Sequence, residues 1–569
     1  MRQSEPVSIA VSRRSALNLL VACLLGPGFA LVPHAPAQAV AGCPALPAAQ
    51  VVPGSGDVQV FAIQYFQRVP EMATYASIRQ YLGCYFQAYV DPYRDPARPG
   101  LVVFNELTGL AFGLEGSRGA AARTFEKTPG ATFFGQVANQ PLGAAGGALG
   151  LVAAAYSAPI AYYAARYPDA YAADPLSFTF LAVTDTYVRA VVENFSSLAR
   201  AHHVAVVAGA LVPILNDPSS CAANGYPRRV ACPGWRSSSD PAAVAALADP
   251  DLLPLYASGQ LKSVYVAMTP RVENVALFFD PLGRLYDVQP KVNLTPIELQ
   301  VGWTPAPPST IHAVPLIDGQ GRAVPGVRLG AAISLDAFEH ADSSQPCRDP
   351  RSYVACLDSK GVNLLLQPEY NDGTAQCASW SDYSAPCRGQ PVWQQVEWMF
   401  SSWYDIQARD ASGAFLFPHF AYAVNPFMVG NLYDLTGDGQ TAIFARSDPR
   451  AAPGAYVGDR DGSLYLAPSS LTPYPDSTVP DLALSSPRDV LSLYQIDGTQ
   501  PGWLSVAPWV IAPTDVRYNP VLANGDPGSL ETCEHGLVGG SGVGSGPCAE
   551  NGYLAGAVIA ELSLNLAAP

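Results

Sequence analysis

Charge is scarce in this 569-residue chain: 14% of its residues are Asp, Glu, Lys or Arg, and 32 basic residues stand against 47 acidic ones. The net charge of −15 repels phosphate backbones and anionic headgroups, so nucleic acid is not an expected partner. Histidine is rarer still: the seven residues are scattered, and no pair of the 11 cysteines has the CxxC spacing of a zinc site. No metal or organic cofactor is implied, and there is no internal repeat. What is abundant is apolar material, 49% of the chain, enough for one or two large globular units. The 53 Pro and 49 Gly predict long irregular connections between short elements.

Residues 1–42 read as an export signal and its cleavage region. Arg13-Arg14 supplies a positive start, Ala16 to Val32 an apolar core, and APAQAVAG a series of small-residue cleavage options. SRRSALNLL resembles the twin-arginine pattern, with Ala16 where that pattern prefers Phe, so twin-arginine export and ordinary secretion both stay open. Outside Cys23, the cysteines form close pairs, Cys221/Cys232, Cys347/Cys356, Cys377/Cys387 and Cys533/Cys548, with Cys43/Cys84 left as a fifth. Short disulfide loops fit an oxidising compartment, periplasmic or extracellular. Val40-Ala41-Gly42-Cys43 also resembles a lipoprotein box, which would lipidate Cys43 and leave Cys84 unpaired; a soluble exported protein is the preferred expectation.

Thr128 to Ala165 carries no charged side chain, yet its Ala and Gly content, Pro141 and Pro159 argue for a packed insertion rather than a membrane span. Elsewhere elements alternate. VVFNE (102–106) reads as a strand ending in a carboxylate. TDTYVRAVVENFSSLARAH (184–202) places Val188, Val191, Val192, Phe195 and Leu198 on one helical face, and HVAVVAGALV (203–212) is a strand. VENVALFFDPLGRLYDVQPKVNL (272–294) reads as a hairpin about Pro281-Leu282-Gly283 whose second strand delivers Lys291. Val327 to Ile333 and NLLLQP (363–368) are further strands, residues 393–410 suit a long helix, and YLAGAVIAELSL (553–564) is a closing strand. Loop-rich insertions are expected at about 213–262, 340–360 and 445–548. DLTGDGQ and GDRDGS in the last of these lack the full calcium-loop ligand series and read as polar turns.

Three strand ends each carry one reactive residue: Glu106 after VVFN, Lys291 before VNLTPIE, and Ser334 after LGAAI. This order resembles the nitrilase superfamily of carbon-nitrogen hydrolases, most specifically around KVNLTPIELQVGW (291–303), and also around FNEL and RLGAAISLDAFEHA. The exported vanin and biotinidase branch is the most similar in feel. The resemblance covers most of residues 58–430 and the last dozen. It implies an α/β protein, a four-layer α-β-β-α sandwich over residues 58–569 elaborated by disulfide-stapled insertions, that cleaves linear amides or nitriles through an acyl-enzyme. It assigns Glu106 as general base, Lys291 as oxyanion stabiliser with the Leu335 backbone N–H, and Glu298 as the carboxylate that orients substrate and lysine. It also allows a homodimer.

The departure is Ser334, which stands where the family has its cysteine. A hydroxyl is far less acidic than a thiol and needs a stronger, better aligned base. The surrounding A-I-S-L-D is not the G-x-S-x-G elbow of α/β-hydrolases. Taken singly, a strand-end Glu, a Lys after a hairpin and a Ser before a turn are ordinary surface features. Two classes therefore stay open: an amide hydrolase working through Ser334, and an inactive nitrilase-like binding protein that keeps Glu106, Lys291 and Glu298 as a structural ion cluster.

Overall fold

The computed structural model describes Cys43 and residues 56–370, 398–446, 455–468, 503–507 and 555–563, with breaks at 68, 126–135, 138–139, 142, 399, 433–434, 438 and 461–462. The export segment, most of 445–548, and the Cys377/Cys387 and Cys533/Cys548 pairs lie outside the described residues. Three expected bridges are formed: Cys43–Cys84, Cys221–Cys232 and Cys347–Cys356.

Two sheets carry the fold. The first runs in the order Leu285–Pro290, Val272–Phe279, Ala205–Leu215, Gly100–Val103, Val58–Phe66, Gly556–Leu562, Ala455–Arg460, Ser463–Pro468. The second runs Val314–Ile317, Ala323–Ala331, Leu364–Leu366, Tyr422–Asn425, Ala442–Ala445, Trp503–Val506. Each has three parallel strands at its centre, Val58–Phe66 with Gly100–Val103 and Ala205–Leu215 in one and Ala323–Ala331 with Leu364–Leu366 and Tyr422–Asn425 in the other, flanked by antiparallel partners.

Strand alternation explains the layering. Val58, Val60 and Ala62 of the first sheet share one core with Val327, Leu329 and Ala331 of the second, so the sheets pack face to face. The opposite side chains, Phe61, Ile63 and Tyr65, pack under the helices Tyr75–Tyr85 and Asn194–His202. On the far side, Leu365, Ala423 and Phe444 pack under Tyr353–Ser359 and Trp403–Gln407. The result is the expected α-β-β-α sandwich. Strands covered on both faces need near-continuous apolar runs, which is why eight of the nine residues of Val58–Phe66 are buried.

Several local expectations shift. The 184–202 helix forms, but Val188–Glu193 is wound as a wider π turn, so Val191 and Phe195 stay buried while Val192 rotates partly outward. The long helix expected over 393–410 is helical at 398 and 400–402, wound as a π turn, and on through Trp403–Gln407, where it ends because Ala408 turns extended to begin a tight loop around Gly413. The 213–262 insertion is less loop-like than its Pro content suggests: Pro218–Ala223 and Pro241–Leu247 are helices with Pro in the first turn and Asp217 and Asp240 as caps. Within 340–360, Tyr353–Ser359 is a helix because Tyr353, Val354, Cys356 and Leu357 cover the second sheet. Of GDRDGS (458–463), Gly458 to Arg460 end the strand Ala455–Arg460 and Ser463 opens its antiparallel partner Ser463–Pro468, while residues 461–462 lie outside the described residues.

In the apolar 128–165 region no single described helix is long and apolar enough to cross a membrane; Gly146–Ala155 and Ser157–Arg166 pass only as a pair bent by 76°. Tyr156 and Tyr163 of this pair are fully buried in the main core, and Tyr163 Oη accepts the Ala267 N–H.

Candidate active site

The centre is built at the carboxyl ends of the central strands, where an open α/β sheet leaves polar groups to converge. Glu106 follows Gly100–Val103 on a turn held by Thr108 Oγ1 donating to Asn105 O and by the Asn105 side chain donating to Glu106 O. Gly209, on the neighbouring strand, lets that turn approach: a Cβ there would lie 2.4 Å from Leu107 N and 2.5 Å from Asn105 O. Lys291 ends the hairpin, its backbone N–H donating to Asn274 O and its carbonyl accepting from Ala306 N–H.

The conspicuous LTPIE string has a local physical cause. Thr295 caps the helix Pro296–Gln300, with Pro at its first position, and Glu298 Oε2 accepts back from Thr295 N at 2.7 Å, a capping box. Glu298 is thereby locked with its carboxylate inward. Lys291 Nζ then lies 2.7 Å from Glu106 Oε1 and 3.0 Å from Glu298 Oε2, all three side chains being 6% exposed or less. The structure therefore brings together three of the residues singled out from the sequence.

Asn274, not singled out from the sequence, joins them. Its amide donates both protons, to Glu106 Oε1 at 2.7 Å and Glu298 Oε1 at 2.8 Å. The sequence signal was a polar pair, Glu273-Asn274, inside an otherwise apolar strand; alternation sends Glu273 to the other face, where Asn216 binds it.

Ser334 begins the tight turn Ser334–Phe338 after the second sheet's central strand, with φ +47°, a left-handed conformation rare for a serine. Leu107, directly after Glu106, has φ +54°. Two of the three non-glycine residues of positive φ among the described residues thus flank this centre, as strain at a functional turn does. Ser334 is half-buried and its N–H donates to Pro368 O. Among the described residues its hydroxyl has no hydrogen-bond partner and the Leu335 N–H has no acceptor.

Two ties bind this elbow to the Lys-Glu cluster. Asp336, fully buried, accepts from the N–H of Val292, next in sequence to Lys291, and from both the backbone and side-chain nitrogens of Asn293. On the other side, Pro368 is followed by Glu369 and Tyr370, and the Tyr370 N–H donates to Glu106 Oε2 at 3.2 Å. Asp336 and Glu369 were both missed from the sequence, since a single acid next to a turn carries no local signal of burial.

Electrostatics follow from crowding four carboxyls around one ammonium. Burial pushes the Glu106 carboxyl up to about 8, the Lys291 charge opposing the rise and the Glu298 and Glu369 charges adding to it. Burial by itself lowers Lys291, but Glu106 and Glu298 outweigh it and hold the ammonium on. Asp336 is raised to about 7 by burial, against its N–H donors and Lys291. A separate trio among the described residues, Glu115, Asp249 and Asp251, offers carboxylate oxygens within 4.8 Å of one another, and none of these belongs to the Lys291 cluster.

Comparison with solved structures finds similar chains in the nitrilase superfamily. A variant of the amidase from Nesterenkonia sp. AN1, with the acetamide moiety of fluoroacetamide added covalently at its active-site cysteine, is 11% identical over 70% of this chain and 85% of its own, with a TM-score of 0.32. Nit3 of Saccharomyces cerevisiae, from branch 10 of the superfamily, is 12% identical over 70% of this chain and 86% of its own, TM-score 0.31. A variant of the Nesterenkonia amidase with serine at the cysteine position gives 11% identity over 68% and 84%, TM-score 0.29. No family model matches the sequence, and no curated protein does.

Proposed function

We propose that this protein is an exported hydrolase of linear amide or nitrile C–N bonds that works through an acyl-enzyme on Ser334, a divergent relative of the vanin and biotinidase branch with serine in place of cysteine. The observation that carries the reading is the Lys291 ammonium, 1% exposed, fixed between Glu106 and Glu298 beside a strained, unpartnered serine elbow. Burying such a cluster costs stability that apolar residues would not, so its retention points to use. The three disulfides among the described residues support an oxidising compartment.

The raised Glu106 is suited to the substitution. A carboxylate that holds its proton up to about 8 is a stronger base than an ordinary glutamate, and a serine hydroxyl needs one. For an amide, Glu106 takes the hydroxyl proton as Ser334 Oγ bonds to the carbonyl carbon. Lys291 and the Leu335 N–H receive the negative charge developing on the carbonyl oxygen. Glu106 returns the proton to the leaving amine as the C–N bond breaks, leaving an ester on Ser334. Water then gives its proton to Glu106 and attacks the ester, and the carboxylic acid leaves with Ser334 reprotonated.

The test is intact-protein mass spectrometry after exposure to activated esters and amides, on wild type, Ser334→Cys and Ser334→Ala. An acyl adduct on wild type and the Cys variant, absent from the Ala variant, is expected. An adduct on the Cys variant alone would mean a scaffold that has given up chemistry and retains binding.

A further inference from the structure

Glu369 has no part in that mechanism, and its position is the unexplained feature of the centre. It is 1% exposed. Its Oε2 accepts from Gln367 Nε2 at 3.3 Å, while its Oε1 is buried without a hydrogen-bond partner. Among the described residues no Lys, Arg or His pairs with it. Its backbone is fixed by Glu369 N–H to Pro426 O and Met428 N–H to Glu369 O. It sits between Pro368, which accepts the Ser334 N–H, and Tyr370, whose N–H donates to Glu106.

A buried carboxylate oxygen with no donor is costly unless something binds it. Glu106, Glu298, Asp336 and Glu369 outnumber the single ammonium of Lys291 four to one, all at 5% exposure or less. The one ammonium is taken by Glu106 and Glu298, and Asp336 is held by the N–H donors of Val292 and Asn293, so Glu369 is left for a ligand that brings positive charge. A neutral donor would fill the hydrogen bond and leave the charge uncompensated, and an anionic substrate would be repelled.

We propose that Glu369 is a recognition subsite for an alkylammonium or guanidinium group on the amide substrate, so that the preferred substrates are cationic linear amides. This rests on the amide-hydrolase reading for turnover and not for binding.

The full chain is assayed at pH 8.5 with ω-aminoalkanamides of three to six carbons and with neutral alkanamides of matched length. At that pH an alkylamine, with an ordinary pKa of about 10.4, is still charged. Wild type, Glu369→Gln and the charge-keeping Glu369→Asp are compared, and binding to Ser334→Ala and to Ser334→Ala/Glu369→Gln is followed by calorimetry. The expected result is a kcat/KM at least tenfold higher for the best cationic amide than for its neutral match. That ratio should fall at least tenfold in Glu369→Gln and less in Glu369→Asp. A wild-type ratio near one, or one unchanged by Glu369→Gln, overturns the subsite while amide hydrolysis stands. Absence of turnover, with Glu369-dependent binding of cationic amides to the Ser334→Ala variant, removes the hydrolase reading and keeps the subsite. Neither turnover nor binding overturns both.

Discussion

Replacing Glu106 by Gln is expected to remove activity and, at alkaline pH, to make the protein more stable. In the folded chain burial holds the Glu106 carboxyl at about 8, against an ordinary 4.5 when the chain unfolds. Between those values the native state binds a proton that the unfolded state lacks. Stability is therefore fully present below about 4.5, falls as pH rises, and levels off above about 8. The gap of about 3.5 units, at about 1.4 kcal/mol per unit, puts the penalty on the order of 3–5 kcal/mol. Gln cannot ionise and escapes it. Its amide keeps its oxygen toward Lys291 and Asn274 and turns its NH2 toward the Tyr370 N–H, so one hydrogen bond is lost rather than two, a pH-independent cost of about 1 kcal/mol. Asp336 and Glu273, both raised to about 7 by burial, are present in both proteins and cancel in the difference. Urea unfolding of wild type and variant at pH 5, 7 and 9, disulfides intact, measures it. The variant's advantage should grow by about 3–5 kcal/mol from pH 5 to pH 9. Parallel stability curves over that range would refute the reasoning, since they would mean that the buried carboxyl does not hold its proton.

The same titration governs the rate: kcat/KM should rise about tenfold per pH unit below about 8 and flatten above it, and a flat profile from pH 6 to 9 would exclude Glu106 as the base. Gly209→Ala places a methyl 2.4 Å from Leu107 N and must displace the Glu106 turn; kcat should drop about 100-fold, with far-UV circular dichroism unchanged as the check on folding. Replacing Cys221 and Cys232 together by Ser opens a bridge between residues 11 apart and should cost about 2–4 kcal/mol in urea unfolding, with kcat/KM as the control that the distant centre is intact.

The residue pattern alone determined the elements whose causes are local. Apolar runs gave the central strands, Pro281-Leu282-Gly283 gave the hairpin, and the T-P-I-E string encoded a capping box. Close cysteine spacing sufficed for Cys221–Cys232 and Cys347–Cys356 because short loops leave few other partners. The order Glu106, Lys291, Ser334 was visible too, through resemblance. What the tertiary structure decided was distance and burial. Glu106 and Lys291 are 185 residues apart in the chain and 2.7 Å apart in space. Asn274, Asp336 and Glu369 enter the centre for the same reason: their partners are set by how two sheets and their strand ends meet, and a local window shows at most a polar residue in an apolar strand, as at Asn274. The helix Tyr353–Ser359 within the 340–360 insertion was likewise settled by its apolar face finding a sheet to cover. Whether a polar side chain is a solvated surface group or a buried member of a charged cluster depends on its desolvation, and desolvation is a property of the packed chain rather than of its neighbours in sequence.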